Sequence, residues 1–258
     1  MKYNIYSAFG RTGSIRLLKI LSKKVSILAT LGKPEVCAGE SLHLSEHIDK
    51  ESGRMVLKRD NGPSLELLLP KKETFYCPPT KEINTYEFPE LFYELENEYA
   101  VLHSHVCTWG VNDEWTNVLS TRKNMSELPM SFKIAQRTGF WASENRDDIH
   151  ESENSWYSEH PFYFPVSQYI SILENINQRQ QLFLEGVKRD TGKDAIITYL
   201  EESYDDLEIK FDIKIQKEWR EDLDKGVSKR RPKDYVVNYD ELIDAYNQYE
   251  YKGIEREN

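Results

Sequence analysis

Apolar residues in the first half of the chain come in short runs broken by turn clusters, a pattern that confines the fold to stacked strands and helices. Met55 to Leu57 and Leu65 to Leu69 flank Asp60-Asn61-Gly62-Pro63, which predicts two adjacent strands, the second closed by Pro70. Tyr99-Ala100-Val101-Leu102 reads as a short buried strand ending at His103. Leu17, Leu18, Ile20 and Leu21 open the alternation of strands and helices. Ser22 then offers an N-cap to a helix carrying Val25, Leu28 and Leu31, which Gly32-Lys33-Pro34 ends. Pro89 opens a further helix with Leu91, Phe92 and Leu95 on one face. Asp113 to Arg122 reads as helical through Trp115, Val118 and Leu119. Met130, Phe132 and Ile134 alternate before Arg137-Thr138-Gly139, as in a hairpin.

Residues 143–161 are rich in Glu, Asp, Asn and Ser and hold little that could be buried. The expected organisation is an α/β domain over 1–145, a polar linker over 146–161 and an α+β extension over 162–258. In the extension, Val166, Ile170, Leu173, Ile176, Phe183 and Val187 keep helical spacing with Gln180 as the one interruption. Leu207, Ile209, Phe211, Ile213 and Ile215 alternate with charged residues, which predicts a strand with one wet face. A last helix is expected from Asn238, with Glu241 three residues on and Leu242, Ile243 and Tyr246 facing inward.

Composition narrows the function. A net charge of -10 and a pI near 5.2 disfavour a broad grip on nucleic acid, and Lys229-Arg230-Arg231-Pro232-Lys233 reads as a solvated linker. No window reaches the roughly 18 uncharged apolar residues of a membrane span, and the first residues lack the apolar core of a signal peptide. Cys37, Cys77 and Cys107 form no disulfide framework, so a cytoplasmic protein with reduced thiols is expected. P-loop, G-x-G-x-x-G and EF-hand patterns are absent, which gives nucleotides and calcium no support. His150 and His160 fall in the polar linker, where exposure is the default.

The chemistry concentrates at His103-Ser104-His105. Two histidines two positions apart at a strand end project to one side, and imidazole is a preferred zinc ligand. Asp113 and Glu114, after a loop containing Gly110, are candidates for a third ligand. Ser104 and Cys107 are weaker nucleophile candidates without a supporting motif. His43-Leu44-Ser45-Glu46-His47 fits H-x-x-E-H, which needs a helix, yet Leu42 and Leu44 alternate like a strand.

Residues 99–106, with Glu35-Val36-Cys37-Ala38-Gly39 upstream and Leu67-Leu68-Leu69-Pro70-Lys71 between, resemble the JAB/MPN (JAMM) family of zinc isopeptidases and peptidases, in its bacterial or phage form. The resemblance spans roughly residues 15–142 and implies a mixed central sheet flanked by helices. It implies Glu35 as general base, zinc on His103, His105 and Asp113, and a protein substrate. The family's spacing would put Ser at 113 and the ligand Asp at 116, where this chain has Asp113 and Thr116. Asp113 as ligand requires a loop shorter by three residues, and Asn112 or Thr108 would replace the oxyanion-stabilising Ser. The alternative is a JAB-like module without catalysis that binds a partner chain.

Overall fold

The computed structural model describes residues 2–9, 11–30, 40–48, 55–59, 66–68, 99–104, 115–138, 159–225 and 231–249. Its elements in chain order are β1 (Lys2–Tyr6), α1 (Ser14–Thr30), β2 (Glu40–Ile48), β3 (Met55–Arg59), β4 (Glu66–Leu68), β5 (Tyr99–Ser104) and β6 (Trp115–Thr121). There follow α2 (Leu128–Thr138), α3 (Val166–Thr191), β7 (Ile196–Tyr199), α4 (Tyr204–Phe211), α5 (Lys217–Lys225) and α6 (Tyr239–Gln248). The chain is a mixed α/β protein. Among the described residues no helix is long and apolar enough to cross a membrane.

The chain divides into two compact units. The first comprises Met1–Ala8, Ser14–Thr121 and Gln178–Thr198, the second Phe9–Gly13, Arg122–Asn177 and Tyr199–Asn258. Both draw on segments from either side of residues 146–161.

Among the described residues the first unit is built on a seven-stranded sheet in the order β4-β3-β2-β5-β1-β6-β7. β2, β5, β1 and β6 run parallel, while β3 and β4 extend the β2 edge antiparallel. Strands this central are covered on both faces, so β1 buries Tyr3, Asn4, Ile5 and Tyr6 in succession. Asn4 Nδ2 donates to Asn117 Oδ1 on β6 at 2.9 Å, which gives a buried amide donor and a buried amide acceptor a partner in each other. Helix α1 packs against β1 and β5, with Leu17, Leu18, Leu21 and Val25 buried. Phe183 of α3 stacks on Tyr6 at 4.6 Å between ring centroids, a pair worth about 0.5–1.5 kcal/mol beyond its area. The polar interruption Gln180 is fully buried and donates to Thr121 Oγ1 at 2.8 Å.

The second unit has its own core of Met130, Ile134, Phe164, Tyr169, Leu173, Tyr235, Val236 and Leu242. Its distant segments are joined by backbone bonds from Phe162 N to Tyr235 O and from Val237 N to Phe162 O, both 2.9 Å. Asn238 adds a two-way clasp, accepting from Phe164 N at 3.0 Å and donating to Phe164 O at 2.9 Å. Burial pushes the Tyr169 phenol well above its ordinary pKa, and it stays a donor, to Ser126 O at 2.8 Å.

Several expectations hold. The Met55–Arg59 and Glu66–Leu68 strands, the strand ending in His103-Ser104, the long helix from Val166 and the helix after Asn238 are all present. The helix expected after Pro89 lies outside the described residues.

Four elements differ. Residues 17–21 belong to the same helix as Val25, and Ser22 sits inside it with its hydroxyl bonded to Leu18 O at 2.7 Å. Trp115–Thr121 is a strand, because both of its faces are buried and the alternation that marks a half-wet strand is lost. Leu128–Thr138 is a helix with Pro129 in its first turn, where the missing N–H costs nothing, and its Met130 and Ile134 share a buried face. The alternating 207–215 segment is helix α4 followed by a left-handed turn at Asp212, φ 47°. Ser203 and Asp206 form a capping box there, with Asp206 N donating to Ser203 Oγ at 3.1 Å and Ser203 N to Asp206 Oδ2 at 3.0 Å. Leu207 and Phe211, four apart, are buried, and Ile209 between them is 83% exposed.

Replacing Ser203 with Ala should lower unfolding free energy by about 1 kcal/mol, read from urea melts. The Ser203 hydroxyl and backbone N–H hold the Asp206 carboxyl below its ordinary pKa. Its contribution is therefore present at neutral pH and lost as pH falls through that lowered value, so the Ser203→Ala difference should shrink in acid.

Candidate functional site

In the first unit, β5 carries His103 into the middle of the sheet, where it is 0% exposed and paired in register with Ile5 on β1 and His43 on β2. Its Nε2 lies 3.2 Å from Ser7 Oγ, and Ser7 donates to Ser14 Oγ at 3.4 Å. The serine that meets His103 is therefore Ser7, just past the end of β1, and all three residues are buried. Glu35, His105, Asp113 and Glu114 lie outside the described residues, as do Thr108, Asn112 and the three cysteines. Among the described residues no three His, Cys, Asp or Glu side chains are grouped to hold a metal. The H-x-x-E-H segment lies in strand β2, which removes the helical context that its zinc chemistry needs.

The connection from β1 to α1 reads Ser7-Ala8-Phe9-Gly10-Arg11-Thr12-Gly13-Ser14. Arg11 and Gly13 both adopt left-handed backbone, φ 76° and 80°. A strand, a short loop with glycine and hydroxyl residues, and a helix in direct sequence are the local elements of many anion sites, because helix N-terminal N–H groups carry no intrahelical partner. Sequence reasoning passed over this segment because it matches neither P-loop nor G-x-G-x-x-G spacing. The short Gly-Arg-Thr-Gly-Ser run after an aromatic-rich opening was the available signal.

In the second unit, Arg11 Nε donates to Ser131 Oγ at 3.3 Å. Arg122 follows β6 directly. Burial pulls its guanidinium below its ordinary pKa, with Glu201 and Glu127 opposing the shift. Its buried Nε meets no acceptor among the described residues. Neither acid is devoted to it: Glu201 Oε2 accepts from Lys123 N at 2.8 Å, and Glu127 Oε1 from the Tyr239 hydroxyl at 3.0 Å.

No family model, curated protein or solved structure matches the chain.

Gly13 cannot take a side chain without strain, since its φ is left-handed and an added Cβ would lie 2.6 Å from Leu200 Cδ1. Gly13→Ala should destabilise by about 1–3 kcal/mol, and a second change, Leu200→Ala, should recover the steric part but not the backbone part. A double-mutant cycle by chemical denaturation measures both.

Proposed function

We propose that the chain binds a small ligand bearing a phosphate- or sulfate-type oxyanion, recognised in the second unit by Arg122 and Arg11. The observation that carries this reading is the buried Arg122 Nε without an acceptor among the described residues. A buried guanidinium left incompletely hydrogen-bonded is costly, and an oxyanion that accepts from it in a planar, charge-assisted pair removes the cost. Arg11 supports the same reading. Its left-handed backbone is an uncommon state for a non-glycine residue, of the kind that concentrates at ligand-binding loops, and its side chain is already oriented by Ser131. The overall charge of -10 makes such local cationic groups stand out as selective for a small anion.

Calorimetric titration with inorganic phosphate, sulfate and a nucleoside diphosphate tests the proposal. At least one should bind and raise the melting temperature by mass action. Arg122→Met should weaken that binding roughly ten- to a hundredfold, the equivalent of one or two charge-assisted hydrogen bonds. Equal affinity in Arg122→Met and wild type, or no binding of any oxyanion, overturns it.

The zinc peptidase or isopeptidase reading is favoured by a different observation, the position of His103 near the end of strand β5. On that reading His103, His105 and Asp113 would hold a zinc ion, which would supply polarisation of a water, and Glu35 would serve as the general base. Glu35→Gln should then keep zinc and fold while turnover on a protein substrate falls by roughly 10²–10⁴-fold. Partner binding and biological activity that survive Glu35→Gln in full would leave the noncatalytic JAB-like module.

A further inference from the structure

Arg122 stands beside two carboxylates that do not bind it. Glu201 comes from the turn after β7 and Glu127 from the short 3-10 turn Met125–Glu127 ahead of α2, and both act on the guanidinium through space. Among the described residues neither forms an ion pair or hydrogen bond with Arg122, and its Nε is left without an acceptor.

Each acid is held by one oxygen. Glu201 Oε2 accepts from Lys123 N at 2.8 Å and Glu127 Oε1 from the Tyr239 hydroxyl at 3.0 Å, while the second oxygen of each has no hydrogen-bond partner among the described residues. The neighbouring charged groups are engaged elsewhere. Lys123 Nζ lies over Tyr199, 5.6 Å from the ring centroid, and Lys233 Nζ over Tyr239 at 5.9 Å. Lys210 pairs with Glu202, Asp206 closes the Ser203 cap, and Asp240 lies in the first turn of α6.

An oxyanion that accepts from Arg122 therefore arrives beside two like charges. A sulfate-type group offers the carboxylates only further lone pairs and adds repulsion. A phosphate monoester below its second pKa, about 6, carries a single full charge and one P–OH. That hydroxyl can donate to a carboxylate oxygen in a charge-assisted bond, which replaces repulsion with attraction.

We propose that the arginine site selects a phosphate monoester in its singly charged, protonated form, with Arg122 donating to the phosphoryl oxygens and the uncommitted oxygen of Glu201 accepting the P–OH. Glu201 takes this role because it acts on Arg122 more strongly than Glu127 does and is anchored to the next residue, Lys123. Glu127 adds a second negative charge that disfavours the dianion. The inference rests on the oxyanion reading and narrows its ligand. The protonated ester is depleted as pH rises above about 6, so binding weakens in that direction.

Methyl phosphate as its monoanion and methyl sulfate match in charge and closely in shape, and differ by that one proton donor. Calorimetric titration of the full chain with each, at about pH 6 and about pH 8, tests the proposal. At the lower pH methyl phosphate should bind roughly 10–100-fold tighter than methyl sulfate. Its affinity should fall roughly fiftyfold at the higher pH, as the monoanion is depleted, while that of methyl sulfate stays level. Glu201→Gln keeps an acceptor for Lys123 N and should shrink both the preference and the pH dependence, with circular dichroism as the control for folding. The wild-type comparison stands without any variant. Equal affinities for the two esters, both weakened in Arg122→Met, overturn the proposal and leave the oxyanion reading standing. Methyl phosphate affinity that holds level or rises with pH, or a preference unchanged in folded Glu201→Gln, also overturns it. Binding of neither ester overturns both the proposal and the reading beneath it.

Discussion

Strand β1 is hydrogen-bonded along both edges, and the first unit depends on that fact. Tyr3 to Tyr6 pair with β5 on one side and Lys2 to Tyr6 with β6 on the other, segments that begin about a hundred residues later. A strand in this position leaves none of its edges to water, so each backbone donor and acceptor must find its partner in those two neighbours. The register that results also determines the chemistry. Ile5 opposite His103 places Ser7 within hydrogen-bond reach of the imidazole, and the same strand β5 sets His103 against His43.

The elements that could be read from the chain are those whose local signal and buried face coincide. The helix from Val166 announces itself because its apolar period persists over many turns, and the strand ending in His103-Ser104 because an apolar run stops at polar residues. β6 could not be read in this way. Its Val118-Leu119 pair and the polar but buried Asn117, Ser120 and Thr121 carry no alternation, since both faces are covered. In the 207–215 segment the alternation was present and misleading. The Ser203–Asp206 box fixes a helix start just ahead of it, and Ile209 is left in water where a strand would have buried it.

The candidate sites were legible only in part, for a related reason. His103 was visible because chemistry and strand end fall on adjacent residues. Its partner Ser7 lies 96 residues away, and nothing in either local sequence links them. Arg122 was read as part of a helix and gained interest only when burial of its guanidinium was known. A buried charge is a property of the packed chain, and composition could say no more than that cations are outnumbered in this protein.

The clasp of Asn238 on Phe164, reinforced by the pairing of Phe162 with Val236, bears on how the protein is made. These bonds close a loop of 74 residues, so the segment around Phe164 leaves the ribosome well before its partner strand exists. At ordinary synthesis rates the wait lasts several seconds. For that interval Phe162, Phe164 and Tyr169 lack the cover that Tyr235, Val236 and Leu242 later give them, so the nascent chain carries more exposed aromatic surface there than the finished one.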